Sequence, residues 1–139
     1  MEKAISVRRM EKALENLLPL LTGGVGYVCL EYLARGRSHW SMAVCGALCF
    51  WFLYQLTDTA PKSPLLLRAL LGCLFITATE CLFGCVLNLW LELDVWDYSN
   101  LPYHFLGQIC LPYSALWFLL CIPALLLCGW MRRAVFWKI

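Results

Sequence analysis

The chain has 139 residues, of which 62% are hydrophobic and only 14% charged, with a formal net charge of +2. Soluble domains carry about 45–50% apolar and about 25% charged residues, so one small water-facing core cannot absorb this excess and lipid is the expected solvent for much of the surface. The few positive charges sit in short flanks rather than in a patch, which excludes nucleic acid as the expected partner, and the length fits a single membrane domain over 1–139.

The N-terminal segment, 1–13, leads into a periodic stripe. Val7, Met10, Leu14 and Leu17 recur at steps of three and four, with Arg8, Arg9, Glu11, Lys12 and Glu15 between them. This is an amphipathic helical segment. It either lies on the inner leaflet before Pro19 or extends the first helix into the cytoplasm. Four apolar runs follow, at about 14–33, 40–56, 69–91 and 105–131. A helix needs about 20 residues to cross a bilayer, and these runs do not alternate as barrel strands do. The expected fold is therefore all-α: a bundle of four transmembrane helices. The first run follows an amphipathic segment and lacks a small-residue cleavage site, so it reads as a span rather than a signal peptide.

Orientation follows from the basic residues. Lys3, Arg8, Arg9, Lys12, Lys62, Arg68, Arg132, Arg133 and Lys138 fall on one side, and only Arg35 and Arg37 on the other. The positive-inside rule then places both termini in the cytoplasm.

The first helix carries a stripe of Gly24, Tyr27, Glu31 and Arg35 and runs into a basic outer loop, "EYLARGRSHWSM". The third helix carries Cys73, Thr77, Glu80, Gly84 and Asn88 on one arc, opposite a Leu/Phe/Ile/Val face. A charge at the bilayer centre costs at least about 2.5–3.5 kcal/mol, so Glu80 is expected to turn toward protein or water. It either stays protonated or accepts hydrogen bonds from Tyr27, Thr77 or Gln108. The second outer loop holds Glu92, Asp94 and Asp97, which are expected to pair with Arg35 and Arg37. Such a cluster serves as a structural clasp, a pathway mouth or a docking surface.

His39 and His104, one in each outer loop region, are candidates for a proton relay or metal pair, but two histidines without a third ligand give no expected metal site. Ser99 or Asn100 as cap, with Pro102 in the first turn, predicts the start of the last helix. Pro112 and Pro123 read as kinks that free the carbonyls of Gln108 and Leu119. That helix carries its own small stripe: Gly107, Cys110, Ser114, Trp117 and Cys121. The nine cysteines all lie in apolar runs and read as packing residues. Trp130 and Trp137 flank a basic cluster as an interfacial anchor.

The stretches "RGRSHWSM", "TECLFGCVLNLW" and "VWDYSNLPYHFLGQICLPYSALWFLL" resemble the putative ABC-transporter type IV family, also called CmpB-like, a group of small bacterial membrane proteins. The similarity covers roughly 23–133. It implies a location in the bacterial plasma (inner) membrane. The chain has no phosphate-binding loop and four helices are few for a complete permease, so the resemblance also implies a homo-oligomer and a separate ATPase subunit. It supplies no catalytic residues.

The expected function is that of a permease-like membrane protein. It binds or passes a small solute or ion through a polar pocket open to the outer face. The expected lining is Glu31, Arg35, Glu80, Asn88, Asp97 and Gln108, with Tyr27, His39 and His104 close by. Glu80 would be the protonatable or cation-binding group, and Arg35 would balance the carboxylates or recognise an anion. No cofactor is expected. Two alternatives stand: a non-transporting subunit whose outer loops dock a partner, and an intramembrane enzyme using Glu80 or the histidines as acid-base groups. Neither a Ser-His-Asp nor a Cys-His order favours the enzyme.

Overall fold

In the computed structural model, which describes residues 1–59 and 62–134, the apolar runs fold as α1 (Glu2–Arg35), α2 (Trp40–Thr59), α3 (Leu65–Gly84) and α4 (Leu111–Ala134). A π-helical turn, Cys85–Trp90, continues α3. With that continuation, all four helices are long and apolar enough to cross a membrane. One end of the bundle, called the termini end, carries the start of α1 and the end of α4, and the other carries the 36–39 turn and the long 91–110 loop.

Helix α1 has 34 residues, or about 51 Å at about 1.5 Å per residue, well beyond the roughly 30 Å hydrocarbon core. The amphipathic residues are the first turns of α1, which runs without a break through Pro19. The helix ends where Gly36 takes a left-handed conformation (φ 69°) and donates its N–H to the Tyr32 carbonyl. His39 starts α2. Its carbonyl accepts the Met42 N–H at 2.9 Å and its Nδ1 accepts the Ser41 N–H at 3.3 Å, so the imidazole caps the helix as Asn or Ser does elsewhere.

Helix α1 packs on α2, α3 packs on α4, and α2 touches α3 and α4. The α1–α2 crossing is close because Gly23 and Gly46 meet there. A Cβ on Gly46 would lie 2.8 Å from the Gly23 carbonyl oxygen and would overlap Tyr27. Small residues permit this approach where lipid supplies no hydrophobic drive between helices. Two apolar clusters fill the interior. Leu53, Tyr54, Ala69, Cys121, Leu125 and Cys128 pack at the termini end. Met42, Cys45, Cys49 and Leu87 pack at the loop end, together with Val95 and Trp96 of the loop itself.

The last helix begins later than 105. Residues 104–110 form a small antiparallel hairpin, β1 (His104–Phe105) with β2 (Ile109–Cys110), and α4 starts at Leu111. The reason is backbone conformation. Tyr103, Leu106 and Gly107 all have φ between 55° and 71°, which an α-helix cannot accept. The Ser99–Pro102 stretch therefore forms turns rather than a helix start. Pro112 stands in the first turn of α4, where a missing N–H is harmless, and it is not a kink. The Gln108 carbonyl is taken by the Trp96 indole N–H at 2.9 Å.

At the termini end, Arg132 ties three helices. Its Nε donates to Thr57 Oγ1 at 2.9 Å, Nη1 to Glu15 Oε1 at 3.1 Å and Nη2 to the Tyr54 carbonyl at 2.8 Å. The guanidinium also lies 4.1 Å from the Tyr54 ring centroid.

Candidate functional site

The site is built on the small polar stripe of α3, whose members meet α4 at one end and the 91–110 loop at the other. Cys73 Sγ donates to the Ser114 carbonyl at 3.1 Å, and Thr77 Oγ1 lies 3.3 Å from Ser114 Oγ. Glu80, one turn further, accepts from Tyr98 Oη at 2.8 Å on one carboxylate oxygen and from Trp117 Nε1 at 3.0 Å on the other. Gly84 leaves room for the loop. A Cβ there would stand 2.6 Å from Gln108 Oε1 and 2.9 Å from Trp96 Cζ2. Asn88 closes the stripe. Its Nδ2 donates to Gln108 Oε1 at 2.7 Å, and its Oδ1 accepts the backbone N–H groups of Val95 and Trp96 at 2.7 and 3.4 Å.

The 91–110 loop is thus a plug seated in the loop end of the bundle. Trp96 and Gln108 are each only 3% exposed. The π-helical turn aims Asn88 at the plug: the wider turn puts the Leu91 N–H on the Val86 carbonyl and the Leu93 N–H on the Leu87 carbonyl. Glu92 and Asp94 have positive φ, as do Tyr103 and Leu106. Such conformations cost of order 1 kcal/mol or more each and persist only where surrounding contacts impose them. Tyr98 stacks on Tyr113 with ring centroids 4.6 Å apart. Burial and the adjacent Glu80 push its hydroxyl well above the ordinary tyrosine range, so it remains a donor.

Beneath the plug lies a cavity of about 430 Å³, with walls from all four helices. The lining is almost wholly apolar and includes Phe50, Ile76 and Leu127. Glu80, 3% exposed, is its one charged side chain among the described residues. Tyr27 and Trp117 also line it, with ring centroids 5.8 Å apart. None of the ion pairs among the described residues involves Glu80. The cavity therefore presents one acid and two aromatic faces inside an apolar shell.

The nine residues singled out in the sequence fall into four groups. Glu80 and Tyr27 line the cavity. Asn88 and Gln108 hold the plug, as described above. Glu31 and Arg35 form an ion pair on α1, with Nε 2.7 Å from Oε2, and Arg35 Nη1 donates to the Val95 carbonyl at 3.0 Å. So Arg35 reaches the second loop through backbone and pairs with its own helix rather than with Glu92, Asp94 or Asp97. Asp97 and His104 serve turns, and His39 caps α2. Asp97 Oδ1 accepts the Ser99 N–H at 2.9 Å, and His104 Nδ1 accepts the Gly107 N–H at 3.1 Å. His39 and His104 have different partners, and among the described residues no three His, Cys, Asp or Glu side chains gather to hold a metal. All nine cysteines are free thiols, six of them buried.

The donors expected for Glu80 are replaced. Thr77 turns to Ser114, and Gln108 Nε2 donates to the Leu106 carbonyl at 2.9 Å. Tyr98 and Trp117 take their place. Trp117 was legible as part of the α4 stripe. Nothing in the sequence put Tyr98 on Glu80, because that contact needs the loop to fold inward.

The family profile described as Putative ABC-transporter type IV matches residues 24–137. The chain belongs to this family. The matched stretch contains Glu80, the plug and α4, while Thr22 and Gly23 of the cavity wall and the amphipathic start of α1 lie before it. With four helices able to cross a membrane, membership makes this a transport-related membrane protein in contact with the lipid bilayer. No curated protein and no solved structure matches the chain.

Proposed function

We propose that this chain is a permease-like subunit that binds a small, mostly apolar cation in the central cavity, and that the cavity opens to the outer face when the plug lifts. The single observation that carries the reading is Glu80: a buried acid with no cation paired to it among the described residues, placed at the wall of an otherwise apolar cavity. A cationic solute supplies the missing counter-charge, and the Tyr27 and Trp117 rings offer cation–π faces to it. The cavity volume falls in the range of small-molecule sites, about 300–1,000 Å³. Both termini are cytoplasmic in this reading, and the membrane is the bacterial inner membrane. Energy comes from a separate ATPase, and copies of the chain assemble to complete the path.

The test uses the full-length protein in proteoliposomes with a panel of small lipophilic ammonium ions. Binding and flux should depend on Glu80 and be lost in Glu80→Gln while insertion and helix content are kept. If Glu80→Gln binds and transports as the parent does, or if no member of the panel binds, the proposal is wrong.

A docking subunit is the second reading. It is favoured by the apolar rim on the loop end, where Trp90, Tyr103 and Phe105 are 77%, 82% and 58% exposed. That reading predicts tolerance of Glu80→Gln and failure on replacement of Trp90, Tyr103 or Phe105.

A further inference from the structure

At the termini end a second cavity, of about 290 Å³, lies between the start of α3 and the end of α4. Arg68, Arg132 and Arg133 all line it, with apolar wall from Leu65, Leu125 and Leu126. Three guanidiniums around one hollow repel one another unless anions intervene. Glu15 and Asp58 answer only one of them: Arg132 Nη1 lies 3.1 Å from Glu15 and 3.9 Å from Asp58, and its remaining nitrogens are bonded to Thr57 and the Tyr54 carbonyl. Neither Arg68 nor Arg133 belongs to any ion pair among the described residues.

Arg68 gives a second, independent sign. Its Nε is buried and has no hydrogen-bond partner among the described residues. A buried charged donor without an acceptor is costly, and an anion in the hollow would relieve it. The Arg133 guanidinium lies over Gly129 at the wall of the hollow, its Nη1 3.4 Å from where a Cβ there would stand. Helix α3 begins at this same end with no side-chain cap, so its free first-turn N–H groups add positive potential.

We infer that this hollow binds a phosphate-bearing anion. The phosphate sits between Arg68 and Arg133, with Arg132 contributing field, and any attached glycerol or alkyl portion lies against Leu65 and Leu126. Phosphate fits better than a carboxylate because two separate guanidinium forks need more acceptor oxygens than one carboxylate presents. The source is either the headgroup of an anionic phospholipid, which basic pockets between membrane helices can bind, or a soluble phosphate. The site is independent of the cavity at Glu80.

The experiment uses the full-length protein in neutral detergent and phosphate-free buffer. Native mass spectrometry and thermal unfolding are followed with phosphatidylglycerol, with phosphatidylcholine and with inorganic phosphate. The parent should retain phosphatidylglycerol about thirtyfold better than phosphatidylcholine, a preference of the size two basic residues give near a membrane surface. Arg68→Gln/Arg133→Gln should abolish it. Arg8→Gln/Arg9→Gln removes the same charge from the exposed start of α1 and should not. If inorganic phosphate alone stabilises the parent and displaces the lipid, and the pocket variant loses this, the soluble source is supported. If the pocket variant holds phosphatidylglycerol as tightly as the parent, or neither phosphate species binds the parent, the inference is overturned. Should the double variant fail to fold, Arg133→Gln alone, at an exposed position, carries the same comparison.

Discussion

Replacing Tyr98 by Phe isolates the latch between plug and bundle. The ring is kept, and with it the stack on Tyr113 at 4.6 Å and 10°. Only the hydroxyl that donates to Glu80 Oε1 at 2.8 Å is removed. Glu80 is 3% exposed, so the closed state is left with a buried acceptor lacking its donor, whereas in the open state water can replace it. Such a group costs about 1–3 kcal/mol, which moves a closed–open equilibrium roughly 5- to 150-fold toward open. Cys110 reports on it. This thiol is 3% exposed and lies in β2, so a polar thiol reagent reaches it only when the plug leaves. If opening is a fast pre-equilibrium, the labelling rate of Cys110, read peptide by peptide by mass spectrometry, should rise by that factor in Tyr98→Phe. It should stay unchanged in Tyr103→Phe, whose side chain is exposed. A Tyr98→Phe protein that labels Cys110 within twofold of the parent rate would falsify the latch.

Three further outcomes are expected. Gly84→Ala puts a Cβ 2.6 Å from Gln108 Oε1 and 2.9 Å from Trp96 Cζ2. It should destabilise the seated plug by about 1–3 kcal/mol, seen as a red shift of tryptophan emission at unchanged helix content. An unshifted spectrum would contradict the close fit. Arg132→Gln removes a partly buried hub joining Glu15, Thr57 and Tyr54 and should cost about 1–3 kcal/mol after allowing for its partial exposure. A thermal midpoint equal to that of the parent argues that the hub is idle. The turn at Asp97 should depend on pH in one direction. The Ser99 N–H and hydroxyl, with His104 nearby, hold the Asp97 carboxyl below the usual carboxylate range. A depressed folded pKa gives stability that is present above the unfolded value of about 3.9 and is lost as pH falls through the folded value. Exchange protection of the Ser99 amide should therefore persist at pH 5 and fade only below about pH 4, and Asp97→Asn should remove that dependence. Protection already fading at pH 5 counts against this account.

Hydropathy and periodicity are properties of single segments, and everything they govern was readable without coordinates. The four spans, the small arc on α3 and the inward turn of Glu80 follow from the cost of placing polar groups in lipid, whichever neighbours are present. The tertiary structure decided which neighbours those are. Tyr98 rather than Tyr27 reaches Glu80, Arg35 turns to Glu31 and the Val95 backbone rather than to the loop acids, and Arg132 becomes a hub rather than a simple anchor. Each of these choices depends on how the 91–110 chain folds back. That path is set by positive-φ residues that local preference disfavours and that only the fit against Gly84 and Asn88 can hold in place.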